Sequence, residues 1–506
     1  MTRTFRNVIR LITIAQTLAR HNAIEALEAA GLPRPLVWAL RHLEPRTPNT
    51  PLGTRLAAAA VALGPTFIKF GQALSTRSDL LGAEMAADLG QLRDRLPPFS
   101  TQEAKEVVET ELGAKIEDLF ATFNDKPAAA ASIAQVHFAT TRDGHSVAVK
   151  ILRPGIEQAF ALDIDLLLWL AGWIARAKPA WRRLRLRESV ETFASMVQVE
   201  MDLRMEAAAA SELAENFEDD TSYRVPTVDW PRTSRRVLTT ARVFGTPIDR
   251  VQELASAGHN LDRVLQNASQ AMFKQVFRDG FFHGDPHPGN LFVGSDGAIN
   301  AVDFGIMGRL DKQSRRYLAE MMLSILTRDY EKAARLHFQA GYVPKDKSVA
   351  AFTLALRSIA EPILDRPAGE ISIGRLLGQL FHITETFGME TQPHLLLLQK
   401  VMVVAEGVGR TLNPGVNMWE EAQPLLEEWV IANRSPESHL RELGILASGI
   451  INRGPRLLAD AELALENATQ MMRSKDIYNS NRHRRESLVW VAIGLIALIA
   501  VYALAN

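Results

Sequence analysis

Residues 283–292, HGDPHPGNLF, set two histidines, a carboxylate and a carboxamide into one short stretch. Taken alone, those side chains fit a metal site, a tight turn with incidental polar groups, or the loop of a phosphoryl-transfer site. The residues that follow favour the third. Two short apolar runs either side of Asp296-Gly297 read as a hairpin, and it leads to Asp303-Phe304-Gly305. Phosphoryl transfer needs a carboxylate to orient or deprotonate the acceptor, and oxygen ligands that hold Mg²⁺ against the phosphates. Asp285 supplies the first, Asn290 and Asp303 the second. Magnesium prefers hard oxygen donors and keeps several waters, so one Asn and one Asp are enough from the protein. Two histidines bracketing an aspartate, in a chain with no cysteine, make a poor transition-metal set. His283 is therefore read as a brace for the loop, which Pro286 and Pro288 stiffen.

Upstream residues extend the pattern. Val147-Ala148-Val149-Lys150 ends an alternating strand on a lysine, as in the kinase Val-Ala-Ile-Lys motif. Its partner should be a helical glutamate. Glu200 and Glu206 both qualify, and the set as a whole favours Glu206. Where kinases carry a glycine-rich phosphate loop, this chain has PAAAASIAQVH, Pro127 to His137. Alanine meets a steric cost at positive φ that glycine does not. Ala128, Ala129, Ala130, Ala131 and Ser132, with Val136 after them, are thus expected to form a stiffer ATP-binding loop.

The elements that must position these groups follow from the pattern. The first hundred residues read as helices punctuated by prolines. From about Leu119 the period becomes β-like, with a hairpin turning at Asp143-Gly144. Helical patterns run from Gly155 to Phe217, and RVPTVDWPRTSRRVLTTARV reads as further strands. The remainder is helical apart from the second hairpin. The reading is an α+β, bilobal, protein-kinase-like fold with a small sheet-containing N-lobe and a larger helical C-lobe. The expected divisions are 1–118, a helical extension; 119–250, the N-lobe with a helical insertion; 251–435, the C-lobe; 436–486, a helical segment; and 487–506, a transmembrane anchor. The chain has 506 residues, 47% hydrophobic and 23% charged, with net charge −1. Nothing in that balance suggests nucleic acid as a partner.

The ends of the chain suggest a membrane. Leu488 to Ala505 carries no charge and as a helix would span about 27 Å. Trp490 and Tyr502 lie near its ends, and Arg482, Arg484 and Arg485 precede it. The positive-inside rule then keeps the bulk of the protein cytoplasmic. At the N-terminus Phe5, Val8, Ile9, Ile12 and Leu18 share one helical face, with Arg3, Arg6 and Arg10 among the others. A helix packed on its own domain is the expectation, and an interfacial helix the alternative. Leu166 to Ala177 is too short to span a bilayer and reads as a core helix.

At this point the chain resembles the UbiB family, the atypical kinase-like proteins of ubiquinone biosynthesis, over about residues 55–420. GPTFIKFGQALSTRSDLL carries the family's Lys-x-Gly-Gln signature as Lys69 to Gln72. AAAS, Ala129 to Ser132, is similar to its alanine-rich loop, and Glu200-Met201-Asp202 to its Glu-x-Asp motif. HGDPHPGN matches its catalytic loop, although Gly284 stands where alanine is more usual. The resemblance implies ATP or ADP and Mg²⁺ as cofactors. It also implies a pocket-covering, regulatory role for Lys69, Gln72, Glu200 and Asp202, with the Lys-x-Gly-Gln helix occupying the groove where a protein substrate would bind. Asp303 is followed almost directly by a helical pattern with no Ala-Pro-Glu, which argues against a conventional protein kinase.

The function expected is that of a membrane-anchored atypical kinase or ATPase supporting ubiquinone biosynthesis, with nucleotide turnover coupled to handling of isoprenoid lipid intermediates. Its partners would be membrane lipids, isoprenoid quinone precursors and other ubiquinone-biosynthesis proteins. The C-terminal anchor points to a bacterial inner membrane rather than a mitochondrial one. Two alternatives stand beside this: a small-molecule phosphotransferase of the aminoglycoside or choline kinase type, and a nucleotide-binding pseudokinase scaffold.

Overall fold

The structure, a computed structural model, describes residues 3–25, 50–75, 83–90, 96–177, 186–364 and 393–415, with scattered positions between them and up to Val430. The chain divides into two compact units, Met1–Val430 and Ile431–Asn506. The expected anchor at Leu488 to Ala505 and the segment 436–486 lie outside the described residues. Among the described residues no helix is long and apolar enough to cross a membrane.

The described residues open with α1 (Arg3–Arg20), α2 (Leu52–Leu63) and α3 (Pro65–Ser75). Gly64 separates the last two at φ 104°, ψ −169°, a conformation that only glycine adopts without strain. Pro65 then opens α3, where its missing N–H is not needed. Helix α4 (Thr101–Leu112) starts on a reciprocal Ser100–Glu103 capping box and stops at Gly113.

The N-terminal sheet is antiparallel, in the order β1 (Phe120–Phe123), β3 (Ala134–Thr141), β4 (Ser146–Leu152) and β6 (Val237–Ala241), with the short β2 (Ala129–Ala130) on β3. The β3–β4 turn is closed by the Gly144 N–H on the Thr141 carbonyl at 3.0 Å. Along β4 burial alternates as strand geometry requires. Val147, Val149 and Ile151 are buried against Ala104, Val107 and Val108 of α4. Lys150 lies on the opposite face. Helices α5 (Ile156–Ala177), α6 (Leu186–Glu200) and α7 (Leu203–Asn216) follow, their Phe160, Phe193, Val197 and Leu203 packing with Leu152 and Leu238. The run read as further strands yields only β5 (Tyr223–Arg224), an isolated Val228–Thr240 bridge and β6. Pro231 lies instead in a 3₁₀ turn capped by Asp229, because proline has no N–H to give a ladder.

The helical part contains α8 (Leu261–Phe273), α9 (Lys312–Leu326) and α10 (Pro393–Leu412). Small strands thread between them: β7 (Thr246–Pro247), β8 (Phe281–His283), β9 (Leu291–Val293), β10 (Ile299–Ala301) and β11 (Met307–Arg309). β9 and β10 are the second hairpin, and β8 pairs with β11.

The N-terminal helix packs on its own domain, but through its basic face. Arg10 pairs with Asp163, and Arg3 and Arg6 with Asp165, both on α5. Phe5, Val8, Ile9 and Ile12 are left exposed. The two aspartates decide the orientation, since each needs a cation more than α5 needs further apolar contact. Nor is α5 a plain core helix: Leu166 and Ala171 are buried, while Trp173 is 58% exposed.

Ile151 is fully buried between β3, β6 and α4. Ile151→Ala should cost about 2–5 kcal/mol, read as a lower denaturation midpoint with an unchanged slope.

Candidate active site

Strand register aligns the first half of the site. Ala129 lies opposite Val136, and Val136 opposite Lys150, so the three share one face of the sheet. Lys150 Nζ donates to both Glu206 carboxylate oxygens, at 2.8 and 2.9 Å, and to Asp303 Oδ1 at 2.9 Å. Glu206 comes from the first turn of α7, whose N-cap is Asp202. There the helix dipole favours negative charge. Asp202 itself accepts from the Arg204 N–H and pairs with its guanidinium.

The charges are mutually dependent. Burial pushes the Glu206 carboxyl up, against the pull of Lys150. It works against the Lys150 ammonium too, but Asp303 and Glu206 outweigh it and raise the lysine well above its usual range. The cation holds Asp303 far below the ordinary carboxylate range, with Lys69 adding to the effect. Asp303 sits at φ 64°, a backbone strain of the kind that persists where surroundings over-determine it. Its side chain is half exposed.

Glu200 is engaged elsewhere, in a short ion pair with Lys69 of α3. This ties the N-terminal extension to the end of α6. Gln72 donates to the Leu92 carbonyl at 3.3 Å. Gly71 lies between, where a Cβ would stand 2.5 Å from Leu92 Cδ1.

The alanine-rich segment is a pinned hairpin end. The Ala128 N–H reaches the Val136 carbonyl and the Ala131 N–H the Ala134 carbonyl, at 2.8 and 2.7 Å. Arg153 Nη2 donates to the Ala131 and Pro97 carbonyls, and Ser132 is buried.

In the second half of the site, His283 ends β8 and its N–H is taken by Gln275 Oε1 at 2.9 Å. Gln275 lies in a π-helical turn, Lys274–Asp279, directly after α8. The His283 ring accepts the Asp285 N–H on Nδ1 at 3.0 Å, and Nε2 faces the Val302 carbonyl at 3.1 Å. With Nε2–H donating, one neutral tautomer serves both contacts. His283 is thus fixed between the residue before Asp303 and Asp285. His287 caps its own turn by accepting the Gly289 N–H. Asn290 is buried and spends its amide N–H on the Asp285 carbonyl at 3.1 Å, which leaves the amide oxygen for another purpose. The Val302 N–H on the Asn290 carbonyl, at 2.9 Å, brings Asp303 beside it. Among the described residues no group of three His, Cys, Asp or Glu side chains could hold a metal. The oxygen pair of Asn290 and Asp303 suits Mg²⁺, which fills its remaining positions with water and phosphate.

Two features escaped sequence reasoning. Lys400, on α10, donates to Asp285 Oδ1 at 2.8 Å. Its one signal is a lone cation in the apolar run LLLLQKVMVV. Gly284 is packed over by α10 and the bend before β11: a Cβ there would meet Ile306 Cγ2 at 2.7 Å, the Ile306 carbonyl at 3.0 Å and Leu397 Cδ2 at 3.1 Å.

Comparison with known proteins decides the family. Residues 91–337 match the ABC1 atypical kinase-like domain, and 356–417 the UbiB helical domain. A relative from Marinobacter nauticus, named "Probable protein kinase UbiB", is 39% identical over 506 residues, covering 96% of this chain and 92% of its own. The chain belongs to the UbiB family. A UbiB relative from Azotobacter vinelandii, carrying the same name, is 39% identical over 93% of this chain and 87% of its own. Among solved structures, the Rv3197–erythromycin complex from Mycobacterium tuberculosis is similar at TM-score 0.52 and 26% identity, covering 71% of this chain and 92% of that one. The kinase-like fold, with a sheet-containing N-terminal part and a helical remainder, follows from both. Of the site residues, α10 with Lys400 falls in the UbiB helical domain and the others, Lys69 and Gln72 excepted, in the kinase-like domain.

Burial holds the rings of His137, His283 and His337 below their ordinary pKa of 6.5. An unfolded chain binds those protons at about 6.5, so this stability is present above that pH and lost as pH falls through it. Tm should decline from pH 7.5 to pH 5.5, with lower amide-exchange protection factors in 283–290. A flat profile would count against it.

Proposed function

We propose that the chain is an atypical kinase-like phosphotransferase or ATPase that binds Mg²⁺ with ATP or ADP and supports ubiquinone biosynthesis at a membrane. The observation that carries this is the completeness of the ionic and polar set. Lys150, Glu206 and Asp303 form one cluster, and Asp285 and Asn290 face it from a loop tied to Asp303 by His283 and Val302. In this reading Lys150 holds the nucleotide phosphates, with Glu206 keeping it in place. The segment Ala128 to Ser132 and Val136 cover them. Asn290 and Asp303 hold Mg²⁺, which when bound neutralises phosphate charge. Asp285 orients the acceptor. His283 braces the loop and touches no substrate, while Lys69 and Glu200 fasten the extension over the pocket.

A peptide substrate fits poorly. Only residues 304–311 separate Asp303 from α9, and three of them are spent in β11. Water or a small hydroxyl compound is the better acceptor. The membrane part rests on the uncharged C-terminal stretch and on the exposed Phe5, Ile9 and Ile12 of α1 and Trp173 of α5. From it we infer membrane lipids and isoprenoid quinone precursors as partners, and the cytoplasmic face of a bacterial inner membrane as the location. A second reading, a small-molecule phosphotransferase, is favoured by one observation: the similar solved structure is a complex with erythromycin.

Asp285→Asn is the test. Turnover of Mg-ATP should fall about 10²–10⁴-fold with nucleotide binding retained, and the variant should not restore quinone levels in a deletion strain. Full restoration would favour the scaffold. Normal quinone levels in the deletion strain itself would remove the pathway assignment.

A further inference from the structure

The catalytic loop supplies Asp285 with no cation of its own. Residues 283–290 contain neither lysine nor arginine, and the His283 ring is spent on the Asp285 N–H and the Val302 carbonyl. The other lysines of the site face other carboxylates: Lys150 makes three hydrogen bonds to Glu206 and Asp303, and Lys69 is paired with Glu200. Yet phosphoryl transfer at Asp285 would draw the most negative group of the substrate, the γ-phosphate, toward a carboxylate. That approach needs a positive charge on the acceptor side.

Helix α10 provides one. Lys400 Nζ lies 2.8 Å from Asp285 Oδ1, and its side chain is 40% exposed. Its position is set by packing rather than by the ion pair alone. Leu397, one turn earlier, lies against Gly284. Leu398 and Val401 are buried with Phe273 and Phe282, so the helix cannot turn Lys400 away without opening that core. Among the described residues Asp285 Oδ2 has no hydrogen-bond partner, and it remains for an acceptor.

We propose that Lys400 is the γ-phosphate-binding and acceptor-positioning cation of this site, delivered from the helical domain rather than from the kinase-like catalytic loop. The inference rests on the nucleotide reading given above. An ammonium has three donors; with one on Asp285 Oδ1, the others serve an oxygen of the γ-phosphate. The acceptor oxygen, from water or a hydroxyl group, forms its bond to the γ-phosphorus as the bond from that phosphorus to the β,γ-bridging oxygen breaks. ADP leaves with that electron pair. The acceptor proton passes to Asp285 and then to solvent. Lys400 forms no covalent bond; it holds the charge of the transferring group and the direction of the carboxylate.

The test compares wild type, Lys400→Ala and Lys400→Arg, as full-length protein in lipid discs with Mg²⁺. Binding of ADP and of a non-hydrolysable ATP analogue is measured beside ATP turnover. Loss of a charge-assisted hydrogen bond should weaken the analogue roughly 10- to 100-fold and leave ADP binding unchanged. The turnover number should fall by about 10²-fold, with partial rescue by Lys400→Arg. Equal loss of both nucleotides would mark Lys400 as merely structural and overturn the proposal, as would unchanged analogue binding. If wild type binds neither nucleotide, the nucleotide reading itself fails and takes this inference with it. If wild type binds both but Lys400→Ala keeps the preference for the analogue, only this inference fails.

Discussion

A carboxylate cannot be taken out of water without a cation, and Glu206 is the carboxylate around which this molecule is arranged. It is buried on the first turn of α7, and the lysine that pairs with it comes from a different element, the interior strand β4. Removing either charge strands the other in a poorly solvated place, which is more costly than the pair's net worth. The pair therefore fixes α7 against the sheet. Asp303 then has a place only because Lys150 has a donor to spare. Everything between β6 and β11 must bring Asp303 to that donor, even at the cost of a left-handed backbone.

The same logic operates at the periphery. Asp163 and Asp165 on α5 draw in the arginines of α1, and Glu200 draws in Lys69 of α3. The N-terminal extension is thus fastened by ion pairs from α1 and α3, and Phe5, Val8, Ile9 and Ile12 of α1 are left to face outward. Amphipathic spacing shows that a helix has two faces. It does not say which is satisfied by the neighbouring element, and here the buried acids settled the matter.

Legibility followed range. The alternation that turns Lys150 away from the α4 face, the five-residue step from Asp285 to Asn290 and the glycine turns of both hairpins are local patterns, and the sequence displays them openly. Glu206 could be preferred over Glu200 because the loop residues already implied a kinase-like set. Lys400 could not be found that way. It meets Asp285 across 115 residues, through the packing of Leu398 and Val401, and a lysine in an apolar helix looks the same whether it faces solvent or a catalytic carboxylate. The strands expected around Pro231 failed for the opposite reason: β-branched composition was read without subtracting the missing proline donor.

Gly284 carries a consequence of another kind. The space a methyl group would fill there is already taken by Ile306 and Leu397, from a strand-connecting turn and from a distant helix. Three positions share one small volume, so they can change only together. A chain with alanine at 284 must be slimmer at 306 or 397, or seat its α10 farther out. Distance between helix and loop is what brings Lys400 to Asp285, so the size of one side chain beside the aspartate sets how closely the two domains can meet.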